Sequence, residues 1–243
     1  MLDSLTHEAP SDAVLVHGAG GNSMLWKRSL QFLTGGATAY AVNLPGHPSG
    51  EITCRTIADY ARAVHGFVME KGLSRPTVCG HSMGSAIALT LSLDYPEDVG
   101  GLILAGAGAK LGVLPSIVEG LRDMPLKAIE NAITPMSFHA IDLGLGREAR
   151  AALSLSNLPV FLNDYLACDG FDVRARLPEI TTKTLIICGD DDKMTPPKWS
   201  QFLNERIVGS EAVYVKDCGH MLPLEKPGAL GKAVQAFLAG LTQ

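Results

Sequence analysis

No stretch of this 243-residue chain is rich enough in lysine or arginine to make a basic patch, and its net charge is −5, from 20 Lys+Arg against 25 Asp+Glu. Nucleic acid and anionic membranes both require a concentrated positive footprint, so neither is an expected partner. Long apolar runs are missing too. The N-terminus, MLDSLTHEAPSDAVLVHG, carries the acidic Asp3, has no basic flank, and offers no stretch long enough for a signal peptide or a membrane span. A cytoplasmic protein is expected. Cysteine is sparse and odd in number: Cys54, Cys79, Cys168, Cys188 and Cys218 stand far apart without a CxxC pair. That spacing argues for reduced thiols and against disulfides or a zinc site. What the chain does have is 47% apolar and 19% charged residues with 26 Gly and 14 Pro, the composition of a compact globular protein with room for one large core.

Apolar runs that end in turn signals alternate with helical patterns, which predicts a parallel sheet covered by helices. Strands are expected over 13–17, 38–44, 77–80, 101–105, 184–188 and 212–216. Several of them are apolar almost throughout (VLV, LILA, LIIC), as strands buried on both faces should be. Helices are expected over 23–33, 56–71, 83–95, 197–206 and 228–241, with Thr195 before Pro196 and Pro197 as a start signal for the fourth. The rhythm breaks between Lys110 and Leu177, which is helical in pattern and too long for an ordinary connection. This segment is expected to form an inserted helical cap, with helices near 116–124, 126–134 and 147–167. The rest, 1–109 and 178–243, would be the core.

Gly80-His81-Ser82-Met83-Gly84 joins a predicted strand to a predicted helix. The G-x-S-x-G spacing has a mechanical origin: a nucleophile lifted off a strand end sits on a strained turn and needs small neighbours. A hydroxyl is a weak nucleophile without a base in reach, so a histidine is required late in the chain. His220, in KDCGHMLPLEKP after the last predicted strand, has the right setting. His7, His65 and His139 do not, and His17, His47 and His81 adjoin motifs whose work falls to other groups. An orienting acid should follow the penultimate strand, where Asp190, Asp191 and Asp192 stand in a row. Negative charge developing on a substrate carbonyl needs donors placed in advance, typically two backbone N–H groups. Met83 supplies one, and Ala19 of the turn Gly18-Ala19-Gly20-Gly21 the other. A dinucleotide-binding role for that turn is disfavoured, because Ser23 occupies the third glycine position and no acid closes the second strand at Asn43. No Walker lysine is present either.

Taken together, HGAGG, NLPGHPSG, GHSMG, GDDDKMTP and GHMLPLEKP resemble the α/β-hydrolase superfamily over nearly the whole chain, and the order Ser, Asp, His is the order that fold uses. The resemblance implies the α/β-hydrolase fold: a mostly parallel sheet of about six strands with helices on both faces and a helical cap over the active site. It favours Asp192 as the acid, three residues after the glycine and four before the proline, with Asp190 the runner-up. The other acid position used by some relatives offers only Gly106-Ala107-Gly108-Ala109. With so little chain before the first strand, the two-stranded N-terminal extension of many relatives would be missing or vestigial. Asn43 and Ser85 depart from the usual aspartate and glycine, and Glu225 matches a structural position.

Serine at 82 argues against epoxide hydrolases and haloalkane dehalogenases, which carry aspartate there, and Met221 after the histidine argues against hydroxynitrile lyases. The expected function is a serine hydrolase of a small apolar carboxylic ester or thioester, acting through an acyl-enzyme and using no cofactor or metal. The alternatives are hydrolysis of a carbon–carbon bond in a diketone-like substrate, or a low-turnover receptor for a small ligand. Phe138 and Phe161 from the cap, with Met194 and Met221 beside the acid and the base, are the expected substrate-binding walls. A small-molecule substrate is the expected partner, and a homodimer is left open.

Overall fold

The computed structural model describes residues 2–241. Seven strands form one sheet in the order β1-β3-β2-β4-β5-β6-β7: β1 (Ser4–Ala9), β2 (Ala13–Val16), β3 (Ala37–Val42), β4 (Thr77–His81), β5 (Gly101–Ala105), β6 (Thr184–Gly189) and β7 (Glu211–Val215). Six run parallel as the sequence predicts. The seventh, β1, pairs antiparallel with β3 from Ser4↔Val42 to Ala9↔Ala37, so a strand ahead of the parallel six is present where the sequence led to none being expected.

Successive side chains on a strand point to opposite faces, and both faces here are covered. Val14, Val16, Val78, Leu102, Leu104 and Ile186 pack on the side of the helices Ile57–Glu70, Met83–Asp94 and Pro197–Arg206. Leu15, Cys79, Ile103, Leu185 and Ile187 pack on the opposite side against Trp26, Leu30, Leu230 and Val234. The helix Ile57–Glu70 starts where Thr56 and Asp59 form a reciprocal capping box. Thr195, by contrast, caps nothing: its hydroxyl is turned to Asp192, and the helix Pro197–Arg206 begins without a side-chain cap. The expected helix over 23–33 is a short 3₁₀ turn, Ser23–Trp26, followed by one helical turn, Lys27–Leu30.

Between β5 and β6 the chain forms a run of helices with an apolar centre of its own, made of Ile117, Leu121, Ile129, Val160, Phe161 and Tyr165. The helix expected over 147–167 is two helices, Leu143–Ala151 and Leu158–Asp169. Pro159 sits in the first turn of the second, where its missing N–H costs nothing. Ahead of Pro135 the helix widens to a π turn over Ile129–Ile133, the kind of local rearrangement that a residue without an N–H favours. Among the described residues, no helix is long and apolar enough to cross a membrane. All five cysteines are free and buried.

Candidate active site

Ser82 stands at the junction of β4 and the helix Met83–Asp94 with φ 55° and ψ −120°, a conformation that side chains with a Cβ avoid. The neighbouring glycines make the turn possible. A Cβ at Gly80 would collide with the Gly84 carbonyl, and one at Gly84 with the Val16 carbonyl. Ser85 bonds through Oγ to Gly80 O (2.7 Å) and Ala105 O (3.0 Å), tying the elbow to β5.

His220 lies in the loop after β7, with its ring almost fully buried. Its Nδ1 is 2.8 Å from Asp192 Oδ2 and 3.1 Å from Thr195 Oγ1. Its Nε2 is buried and has no hydrogen-bond partner among the described residues, and His220 belongs to the lining of the cavity that Ser82 borders. Asp192 is saturated: Oδ1 accepts the N–H groups of Met194 (2.9 Å) and Thr195 (2.8 Å), and Oδ2 accepts the Thr195 hydroxyl (2.8 Å) as well as His220. Burial alone would raise its carboxyl, but the facing His220 and these hydrogen bonds outweigh that and hold it below the ordinary carboxylate value. Of the three adjacent aspartates, Asp192 is the one joined to His220. Asp190 accepts from Cys218 N at 3.4 Å, and Asp191 is half-buried between His139 and Lys193.

The backbone N–H of Met83 opens its helix, and Ala19 follows β2 beside it; both Ala19 and Ser82 border the cavity. A Cβ on Gly18 would lie 3.0 Å from the Cβ of Ser82, so this turn passes as close to Ser82 as the chain permits. Phe138, Phe161, Met194 and Met221 line the same cavity, about 70 Å³ in volume, together with Leu25 and Leu153. The expected site residues are thus brought together. A second, wider compartment of about 420 Å³ meets the first at Ser82 and Ala19, and is walled by Leu111, Val113, Ile117, Tyr165 and Trp199. Among the described residues, no cluster of histidine, cysteine or carboxylate side chains is placed to hold a metal ion.

Three residues support this arrangement: Thr195 and His81 escape the sequence in that role, while Glu225 stands at the position that the resemblance marks as structural. Thr195 completes the Asp192 environment. His81 donates from Nε2 to the His220 carbonyl at 2.8 Å, bracing the loop that carries His220. Glu225 accepts from Gly219 N–H (3.0 Å) on the residue before His220 and from His139 N–H (2.8 Å) in the helical segment. Only the proximity of His81 to the serine motif and the spacing of Glu225 from His220 hinted at them.

Burial keeps two histidines of the site uncharged. Desolvation comes first for both; His47 adds to it at His17, which lies well below its usual value, and His220 adds to it at His81, brought down to about 3. An unfolded histidine takes up its proton near pH ~6.5, so below that pH the unfolded chain binds protons that the folded chain refuses, and stability falls as pH falls. Each residue contributes at most about 1.4 kcal/mol per pH unit in that window. The expected result is a urea-unfolding free energy about 3 kcal/mol smaller at pH 5.5 than at pH 7.5, measured by fluorescence. A value that holds constant between the two would contradict burial of both rings in neutral form.

Residues 13–233 match the model of the alpha/beta hydrolase family. The chain is 28% identical to 2-hydroxy-6-oxo-6-phenylhexa-2,4-dienoate hydrolase of Burkholderia cepacia, over 91% of this chain and 84% of that one. It is 26% identical to the pimeloyl-[acyl-carrier protein] methyl ester esterase of Neisseria meningitidis serogroup B, over 96% and 95%. Among solved structures, a thermophilic esterase superposes with a TM-score of 0.84 at 29% identity, covering 99% of both chains. With a family match that spans the six parallel strands, the serine turn and the histidine loop, this chain belongs to the alpha/beta hydrolase family.

Proposed function

We propose that the protein is a serine hydrolase that cleaves a carboxylic ester or thioester with a small apolar group, through an acyl-enzyme on Ser82. The observation that carries this reading is the bond between Asp192 and His220 Nδ1, which leaves His220 Nε2 buried, unpaired and at the cavity that Ser82 borders. A ring whose Nδ1–H is held by a carboxylate presents a free lone pair at Nε2, the tautomer that accepts a proton from a serine hydroxyl. In the first half-reaction Ser82 Oγ attacks the acyl carbon while its proton passes to His220. The oxyanion is met by the N–H groups of Ala19 and Met83, and the alcohol or thiol leaves with the proton. Water then repeats the sequence on the acyl-enzyme. Pre-placed donors of this kind are usually the largest single source of rate.

The 110–177 helices act as the cap, and 1–109 with 178–243 as the core that carries the chemistry. Phe138, Phe161 and Leu153 of the cap face Met194 and Met221 of the core across the smaller cavity. About 70 Å³ holds on the order of five water-sized groups, which suits a short apolar chain. The larger portion of a substrate would occupy the wider compartment. Phe138→Ala is expected to shift the preference from short toward longer acyl chains by about 10- to 100-fold in relative kcat/KM on p-nitrophenyl esters, the scale of one pocket contact. Profiles that overlay those of the wild type would remove Phe138 from the acyl site. A second reading, hydrolysis of a carbon–carbon bond beside a carbonyl, rests on the likeness to the Burkholderia cepacia hydrolase. A panel of p-nitrophenyl esters, acyl-CoA thioesters and a 2-hydroxy-6-oxo-dienoate, run with wild type and Ser82→Ala, separates the two. Turnover of the dienoate alone would replace the esterase reading.

A further inference from the structure

The turn that carries Ala19 is held largely from the cap. Gly20 N–H donates to Asp164 Oδ2 at 2.8 Å, and Gly20 O accepts from Ser154 N–H at 2.8 Å. Gly21 O accepts from Ser154 Oγ at 2.5 Å, and Asn22 Nδ2 donates to Ala151 O at 3.1 Å. The Phe161 ring closes over Gly20 so tightly that a Cβ there would collide with it. Phe161 and Asp164 are three residues apart on the helix Leu158–Asp169, so they present one face to the turn.

Asp164 is fully buried, 117 residues from His47 and 104 from Tyr60, yet it gathers both. Its Oδ1 accepts the Tyr60 hydroxyl at 2.6 Å; its Oδ2 accepts His47 Nε2 at 2.8 Å and Gly20 N–H. A carboxylate is expensive to bury and serves packing no better than an apolar side chain of its size. What it provides is a group that only accepts hydrogen bonds, fixed from three directions.

Two adjacent peptide planes then define the turn. The Gly18–Ala19 plane is set by Gly18 O, which accepts from Gly21 N–H at 3.0 Å and faces His17 Nδ1 at 2.9 Å. The Ala19–Gly20 plane is set by the bond from Gly20 N–H to Asp164. Ala19 N–H lies opposite Gly18 O in the first plane, so its aim depends on both anchors.

We propose that Asp164 is a positioning residue for the oxyanion donor: reaching down from the cap, it fixes the turn that aims Ala19 N–H at the substrate oxygen, so that the cap completes the catalytic machinery as well as covering it. This rests on the reading of Ser82 as nucleophile.

A fluorophosphonate tests it without knowledge of the substrate. As Ser82 Oγ bonds to phosphorus, fluoride leaves, the serine proton passes to His220, and the phosphoryl oxygen takes the oxyanion position. Loss of one oxyanion donor costs about 10²–10³ in rate, so a donor that has lost an anchor should forfeit part of that. Asp164→Ala is expected to lower the labelling rate constant at Ser82 and kcat on an ester by about 30-fold, with KM within about threefold and kcat counted per titrated active site. In Asp164→Asn the amide oxygen still accepts from Gly20 N–H, and most of the rate should return. A folded Asp164→Ala that labels at the wild-type rate overturns the proposal, as does a loss confined to KM. Should Asp164→Ala not fold, Ser154→Ala takes its place: about fivefold slower labelling is expected from loss of one bond to the turn, and an unchanged rate overturns it. A wild-type protein that resists the probe defeats the Ser82 reading itself, a failure distinct from normal labelling of wild type and variant alike.

Discussion

Ser82→Ala is expected to keep the wild-type melting temperature and lose ester turnover by about 10⁵- to 10⁶-fold. Alanine retains the Cβ that sits at φ 55° and leaves Gly80 and Gly84 their close approaches, so the turn is neither relieved nor further strained. Among the described residues the hydroxyl makes no hydrogen bond that its removal would break, and His220 Nε2 has no partner there. What disappears is the attacking atom. Residual turnover would come from the N–H groups of Ala19 and Met83 acting on a bound ester attacked by water, and in enzymes with this constellation that remainder is about 10³–10⁴ over the uncatalysed rate. Peptide mass spectrometry after fluorophosphonate treatment gives an independent measure: the adduct should fall on Ser82 and on no other serine. Turnover at the wild-type level in the alanine variant would transfer the chemistry to another residue and leave the strained turn without a purpose.

How much of this was legible in the sequence depended on how local each feature is. The elbow reads directly because its motif lies within five residues, Gly80 to Gly84; Gly80 answers a collision with Gly84 inside the motif, and Gly84 answers one with the Val16 carbonyl of the adjacent strand. The buried parallel strands read as apolar runs for the same reason. β1 did not, because Ser4, Thr6, His7 and Glu8 make a polar edge strand whose identity comes from its pairing with β3. The 147–167 helix was expected whole because its apolar spacing continues across the break. The break itself is set by tertiary contacts: Leu153 bridges to Gly21, and Ser154 to Gly20 and Gly21. Asp164 was invisible for a related reason. Its three partners lie on three elements more than 100 residues away, and within its own helix nothing distinguishes it from a solvated carboxylate. The choice among Asp190, Asp191 and Asp192 came from resemblance rather than from local physics, since three adjacent carboxylates in a loop carry no periodic signal. Geometry separates them by their partners.

The Asp192→Asn variant is expected to lower kcat about 10⁴-fold, while Asp190→Asn and Asp191→Asn stay within about threefold of wild type. The size of the effect follows from which way the new amide must turn. Oδ1 of Asp192 receives two backbone N–H groups, from Met194 and Thr195, that cannot move without unwinding the loop. The amide oxygen of asparagine must take that position, which turns its NH₂ toward Thr195 Oγ1 and His220 Nδ1. The threonine hydroxyl can rotate and accept; the imidazole can accept only by moving its proton to Nε2. His220 then presents an N–H toward Ser82 in place of a lone pair, and the base is lost with the geometry intact. Asp190 and Asp191 have no such hold on the ring, since one receives a long bond from Cys218 N and the other pairs with His139 and Lys193 at the surface. Steady-state kcat of the three variants, with melting temperatures to show that each is folded, checks the ordering. A larger loss in Asp190→Asn than in Asp192→Asn would mean that the loop after β6 sits two residues out of the register described, with the base oriented from a different carboxylate.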